Sequence, residues 1–121
     1  MGKYTILKFA MERAIAEGFT VLQKKIDGFS CRKGNIVVIA SADIEGDGNQ
    51  WMHVSLSRPN KYPSYDELKR VKEIFVGKDR KAIQIFPPEK NYVNIHPYCF
   101  HLWCCLTSDV IPDFDRGLGT I

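Results

Sequence analysis

Trp51-Met-His-Val-Ser-Leu-Ser57, followed by Ser64-Tyr-Asp-Glu-Leu-Lys-Arg-Val-Lys-Glu-Ile-Phe75, decides the fold class. In the first stretch Met52, Val54 and Leu56 alternate with Trp51, His53, Ser55 and Ser57, the period of a half-buried strand. The second stretch has the helical period. Tyr65, Leu68, Val71, Lys72 and Phe75 share one stripe, where the Lys72 stem can cover apolar surface. Asp66, Glu67, Lys69, Arg70 and Glu73 face outward. Ser64 and Glu67 have capping-box spacing, and Gly77 ends the helix. Lys81 to Phe86 reads as the next strand, stopped by Pro87-Pro88. Strand, helix and strand in that order fit a right-handed crossover.

Upstream, Leu7, Ala10, Met11, Ala14 and Ile15 predict a helix over Tyr4 to Glu17, closed by Gly18. Phe19 to Ile26 and Phe29 to Arg32 read as strands around an Asp27-Gly28 turn. Ile36 to Ile44 is a β-branched strand that pairs with 51–57 across the glycine-bearing loop Glu45 to Asn49. Downstream, Glu89 to Tyr98 reads as a loop, Cys99 to Leu106 as the last strand, and the tail from Asp113 to Gly119 as a loop. Helix, strands, helix, strands gives a single α+β domain over residues 1–121, with a largely antiparallel sheet and one or two helices on one face.

Composition bounds the function without naming it. The chain has 121 residues, 45% hydrophobic and 26% charged, which fits one globular domain and not a disordered chain. The longest aliphatic run, Ile36 to Ala40, is far short of the ~20 residues of a membrane span, so no membrane partner is expected. Charges interrupt the apolar residues of the first fourteen positions, so they do not read as a signal peptide. A net charge of +3 mildly favours anionic partners and is not a nucleic-acid signature.

Four cysteines without a secretory signal point to a reducing compartment and to packing rather than to bridges. His96 to Cys105 holds two His and three Cys, but no second ligand pair with zinc spacing accompanies it, so no metal and no cofactor are expected.

Alternation puts Phe100 and Leu102 on the apolar face of the last strand, with Cys99, His101 and Trp103 on the other. Ile83 and Ile85 take the apolar side and Gln84 the opposite one. The face away from the helices therefore gathers two Trp, two His, a Ser and a Gln. Three uses fit such a face equally: a planar ligand, a homodimer interface, or a second core layer under the N-terminal segment. For a ligand of nucleotide type, Trp51 and Trp103 stack on a base, Ser55, Gln84 and His53 bond its polar edges, and Arg58 reaches a phosphate.

His53-Val-Ser-Leu56 also has the form of one half of a two-histidine phosphoesterase motif. There one His is general base, the other general acid, and hydroxyls bind the phosphate. His53, Ser55 and His101 would be the catalytic set, but His101-Leu-Trp-Cys104 carries Trp where the second hydroxyl belongs. No nucleotide-hydrolase phosphate loop, dinucleotide fingerprint or calcium loop is present.

Trp51 to Ser57, Tyr65-Asp-Glu-Leu68, Val71 to Phe75, Gln84-Ile-Phe-Pro-Pro88 and Tyr92-Val-Asn-Ile-His-Pro-Tyr-Cys-Phe-His-Leu-Trp103 together carry a resemblance. In that order they resemble an uncharacterised family of small proteins from bacteriophages and prophages. Tyr92 to Trp103 is its most specific part, and it supplies Asn94 and His101 as further candidates for the site. Where such proteins often have Arg-Pro after His-Leu-Trp, this chain has Cys104-Cys105, and Phe86 stands where His is frequent. The resemblance implies a viral origin and action in the cytoplasm of an infected bacterium. It further implies an anti-defence role by binding, either to a host protein or to a nucleotide signal, rather than by catalysis.

Overall fold

The computed structural model describes residues 3–44, 50–78, 82–85, 98–105 and 117–120. Two helices and seven strands follow in the order α1 (Lys3–Ala16), β1 (Thr20–Lys25), β2 (Gly28–Lys33), β3 (Ile36–Ile44), β4 (Gln50–Arg58), α2 (Tyr65–Phe75), β5 (Ile83–Ile85), β6 (Tyr98–Cys105) and β7 (Gly117–Thr120). The strands form one sheet in the order β1-β2-β3-β4-β6-β5-β7, and every neighbouring pair is antiparallel. This is the α+β architecture expected from the sequence. The expected loop from Asp113 to Gly119 is corrected at its end, where residues 117–120 pair with β5 as an edge strand. A Gly-Leu-Gly-Thr string carries no strand signal, and only a ready partner edge draws it in.

The first four strands are linked by short turns. Gly28 pairs with Ser41, and a Cβ there would stand 2.6 Å from the Ala40 carbonyl oxygen, so only glycine lets β2 approach β3 so closely. Lys33 pairs with Ile36 across Gly34-Asn35, and φ of +62° at Gly34 suits the first place of a tight hairpin turn. Between Val21 and Gln23 the register shifts, leaving Leu22 as a half-exposed extra residue on the edge strand.

The helices lie on one face. Leu7, Ala10 and Ala14 of α1 and Leu68, Val71, Ile74 and Phe75 of α2 join Phe29, Cys31, Val38, Met52, Val54 and Leu56 in one core. Phe75 packs against Phe19 at 5.8 Å edge to face and against Phe29 at 5.7 Å in parallel. Two stripe residues differ from the sequence reading: Tyr65 and Ile15 are exposed, at 59% and 52%, whereas Ile74 is buried. Both exposed residues sit at helix ends, beyond the reach of the facing strands. Since α1 shares the face of α2, it is not the segment that covers the opposite face.

Ser64 caps α2 as expected, and its hydroxyl accepts from Glu67 N while the Glu67 carboxylate accepts from Ser64 N. At the other end, Arg13 of α1 donates to the carbonyls of Ile74 and Phe75 at 2.6 and 3.4 Å, placing a cation where the helix dipole favours one. Lys72 is buried and its ammonium reaches the Lys78 carbonyl at 2.9 Å, so its stem covers apolar surface as the sequence reading anticipates.

Strand β6 lies between β4 and β5. It is antiparallel to both, so β4 and β5 run parallel to each other and α2 connects them across an inserted strand. That insertion makes β4 and β6 direct neighbours, which brings the two candidate histidines together.

Candidate functional site

Paired residues in an antiparallel ladder share a face. The β4–β6 register pairs Trp51 with Cys105, His53 with Trp103, Ser55 with His101 and Ser57 with Cys99. On the other flank, β3 sets Ser41 beside His53 and Ile39 beside Ser55. All these positions lie opposite the helices. Burial is graded along them. Ser55, Ser57, Cys99 and His101 are buried, whereas Trp51, His53 and Trp103 are half-buried. The wet end of the face thus carries the large rings.

His53 and His101 sit diagonally across the ladder, and Nε2 of His53 is 2.5 Å from Nδ1 of His101. Their rings are 12° from parallel with centroids 4.7 Å apart. Face-to-face stacking is excluded by that short nitrogen gap, because carbon and nitrogen faces need about 3.5 Å. The rings therefore meet edge to edge, nearly in one plane, the geometry of an N–H···N hydrogen bond. On its other side His53 lies against Trp103, with centroids 4.9 Å apart and a 29° tilt. Beyond the second histidine, Nε2 of His101 is 3.8 Å from the Cys99 Sγ, within reach of a sulfur hydrogen bond.

Burial and then the neighbouring His101 charge push His53 down to about 4, and burial alone pushes His101 down to about 4. Both imidazoles are neutral at pH 7. Each then has one donor nitrogen and one acceptor nitrogen, as a mutual hydrogen bond requires.

The Trp51 indole nitrogen is buried without a hydrogen-bond partner among the described residues. An unpaired buried donor costs about 1–3 kcal/mol.

Of the eight residues expected at the site, Trp51, His53, Ser55, His101 and Trp103 come together on this face. Arg58 is corrected. It belongs with Leu56 to the helix face, where its guanidinium holds both carboxylate oxygens of Glu67, one at 2.8 Å, and Asn35 Oδ1 at 3.2 Å. An arginine occupied in this way has no fork left for a phosphate. Gln84 lies in β5, next to β6 in the sheet. It pairs with Leu102, whereas Ile83 and Ile85 pair with Trp103 and His101. Asn94 lies outside the described residues. Cys99 was overlooked as a site residue because cysteine reads as packing, although its spacing of two from His101 on one strand is a usable signal. Cys31, by contrast, lies in the helix-side core, where burial pushes its thiol up to about 12.

Among the described residues no cluster of three or more His, Cys, Asp or Glu is arranged to hold a metal ion, and no helix is long and apolar enough to cross a membrane. No curated protein and no solved structure matches the chain. A family model does match residues 43–107, more than half of the chain, and takes in both histidine-bearing strands together with α2. By that match the chain belongs to the family described as Domain of unknown function (DUF7694).

Proposed function

We propose that this is a small binding protein of phage type that blocks or sequesters a component of a bacterial host, with a nucleotide-type defence signal as the leading ligand. The observation that carries the reading is the ring-lined end of the sheet face, where His53 lies against Trp103 and the Trp51 N–H is buried without a partner among the described residues. A flat ligand is held on such a surface by stacking, worth about 1–3 kcal/mol per base, and by hydrogen bonds to polar edges. The phage origin and the host cytoplasm as the place of action rest on the sequence resemblance alone, of which Tyr92 to Trp103 is the most specific part.

Two observations weigh against the alternative, a phosphodiesterase using His53, Ser55 and His101. Acid–base catalysis on a phosphodiester needs the imidazoles on either side of the phosphorus, whereas these two bond to each other at 2.5 Å. It also needs one of them protonated near neutral pH, and both are held near 4.

Incubation with cyclic nucleotides, followed by denaturation and chromatography of what is released, separates the readings. Intact nucleotide co-purifying with the protein is the expected result. Linear product supports the enzyme, and neither binding nor cleavage transfers the proposal to a host-protein target.

A further inference from the structure

Strand β1 ends the sheet, and among the described residues only β2 pairs with it. Nearly all its residues are exposed, Leu22 at 49%, and Ile26 in the turn that follows reaches 78%. Two exposed aliphatic side chains thus flank Lys24 and Lys25. Backbone direction follows from the register. Lys25 pairs with Gly28 across Ile26-Asp27, and the Asp27 carbonyl accepts from Ala42 N, so Asp27 looks toward β3 and Gly28 toward β1. Backbone groups alternate in direction along a strand. Lys25 and Gln23 therefore bond toward β2, whereas Lys24 turns its N–H and C=O to the open edge. Charge along this edge has one sign. From Gly18 to Ala42 the basic residues are Lys24, Lys25, Arg32 and Lys33, and the acid is Asp27. Lys33 is engaged with the Glu17 carbonyl at 2.7 Å and lies over the Phe19 ring. Lys24, Lys25 and Arg32 are exposed and form no ion pair among the described residues.

We propose that the β1 edge from Leu22 to Ile26 is a docking surface for an extended acidic segment of another protein, which adds to the sheet as a further strand. Lysines and a bulge protect an edge against pairing, but the protection given by charge is selective. Two copies meeting edge to edge about a two-fold axis would set lysine against lysine, and like charges opposite each other are destabilising. A strand that carries carboxylates meets the reverse condition. Its backbone bonds to the Lys24 N–H and C=O, its carboxylates face the two ammonium groups, and its apolar residues lie beside Leu22 and Ile26. This surface is independent of the nucleotide reading, because β2 and β3 separate β1 from β4.

The probe is a synthetic peptide with blocked ends in which valine and glutamate alternate, set beside its counterpart with lysine in place of glutamate. Nitrogen-15 NMR of the protein at pH 7 follows each titration. The glutamate peptide is expected to shift the β1 amides, to slow hydrogen exchange at the Lys24 N–H, and to bind at least about tenfold more tightly than the lysine peptide. Reversing the edge charge in a Lys24→Glu, Lys25→Glu variant should reverse that preference. Both side chains are exposed, so the melting temperature should stay close to that of the unaltered protein. If the reversed variant does not fold, Lys24→Gln, Lys25→Gln takes its place and should abolish the preference. Equal binding of the two peptides, a preference unchanged in a folded variant, or no response of β1 to either peptide overturns the proposal. Shifts at β1 without slowed exchange at Lys24 would show charge attraction without strand addition, and overturn it as well.

Discussion

His53 and His101 are neutral because burial on the strand face, and for His53 also the neighbouring His101, disfavours their charged forms. Unfolded, each titrates near 6.5, and folded, each titrates near 4. Between those values the unfolded chain binds more protons than the folded one, so stability rises with pH across this window. The contribution is fully present above 6.5 and is lost as the pH falls to 4. The loss expected on acidification from neutral pH is on the order of 3 kcal/mol for each histidine. Urea midpoints measured at several pH values check this, and a His53→Gln, His101→Gln double variant should lose much of the slope between pH 6.5 and 4. A slope equal to that of the unaltered protein would remove the buried pair as its cause. Arg58 gives a second prediction at this scale. Its guanidinium is buried and depends on Glu67, whose carboxyl it holds below the ordinary value chiefly by hydrogen bonding. Glu67→Ala should therefore cost about 2–4 kcal/mol, more than the ~1 kcal/mol of losing a cap, because a buried cation is left behind. Equal urea-unfolding losses for Glu67→Ala and Ser64→Ala would show that capping alone is at stake.

At the scale of elements, most of what the sequence announces is local. The Ser64 and Glu67 spacing, the alternation in 51–57 and the β-branched run 36–44 specify α2, β4 and β3 without help from the rest of the chain. Elements whose identity depends on a partner are less legible. Residues 117–120 become a strand only because β5 offers an edge. Arg58 shows a different loss of information. Alternation alone assigns it to the face of Leu56, but an arginine at a strand end also reads as an anion contact, and only its bonds to Glu67 and Asn35 decide. Packing of α2 against β4 gives the prediction here. Leu56 is completely buried, and Leu56→Asp places an unpaired charge among Met52, Val54 and the α2 side chains. Loss of soluble, cooperatively folded protein is expected by circular dichroism and thermal melting. A variant that melts cooperatively with full helix content contradicts the packing.

At the scale of the whole molecule, the helices cover one face and leave the ring-bearing residues on the other. The strand order places β6 beside β4, so residues nearly fifty positions apart in the chain share a hydrogen bond. The sequence contains the residue types of that face, and alternation groups them correctly for β4 and β6. It does not contain their order across the sheet, which is a long-range property. Five of the expected site residues converge, whereas Arg58 lies on the helix face by the alternation of β4 itself. A self-complementary dimer would use the same surface. Trp103→Ala distinguishes the two uses, since it should weaken nucleotide binding and leave the mass in solution unchanged. Loss of a dimer with unaltered affinity would place the ligand elsewhere. The central claim, a non-catalytic ligand site on this face, is tested most directly by isothermal titration calorimetry of the protein and its Trp103→Ala variant against a panel of cyclic nucleotides. Saturable binding of at least one nucleotide, weakened in the variant, is the predicted result, and heats no larger than dilution across the whole panel would contradict it.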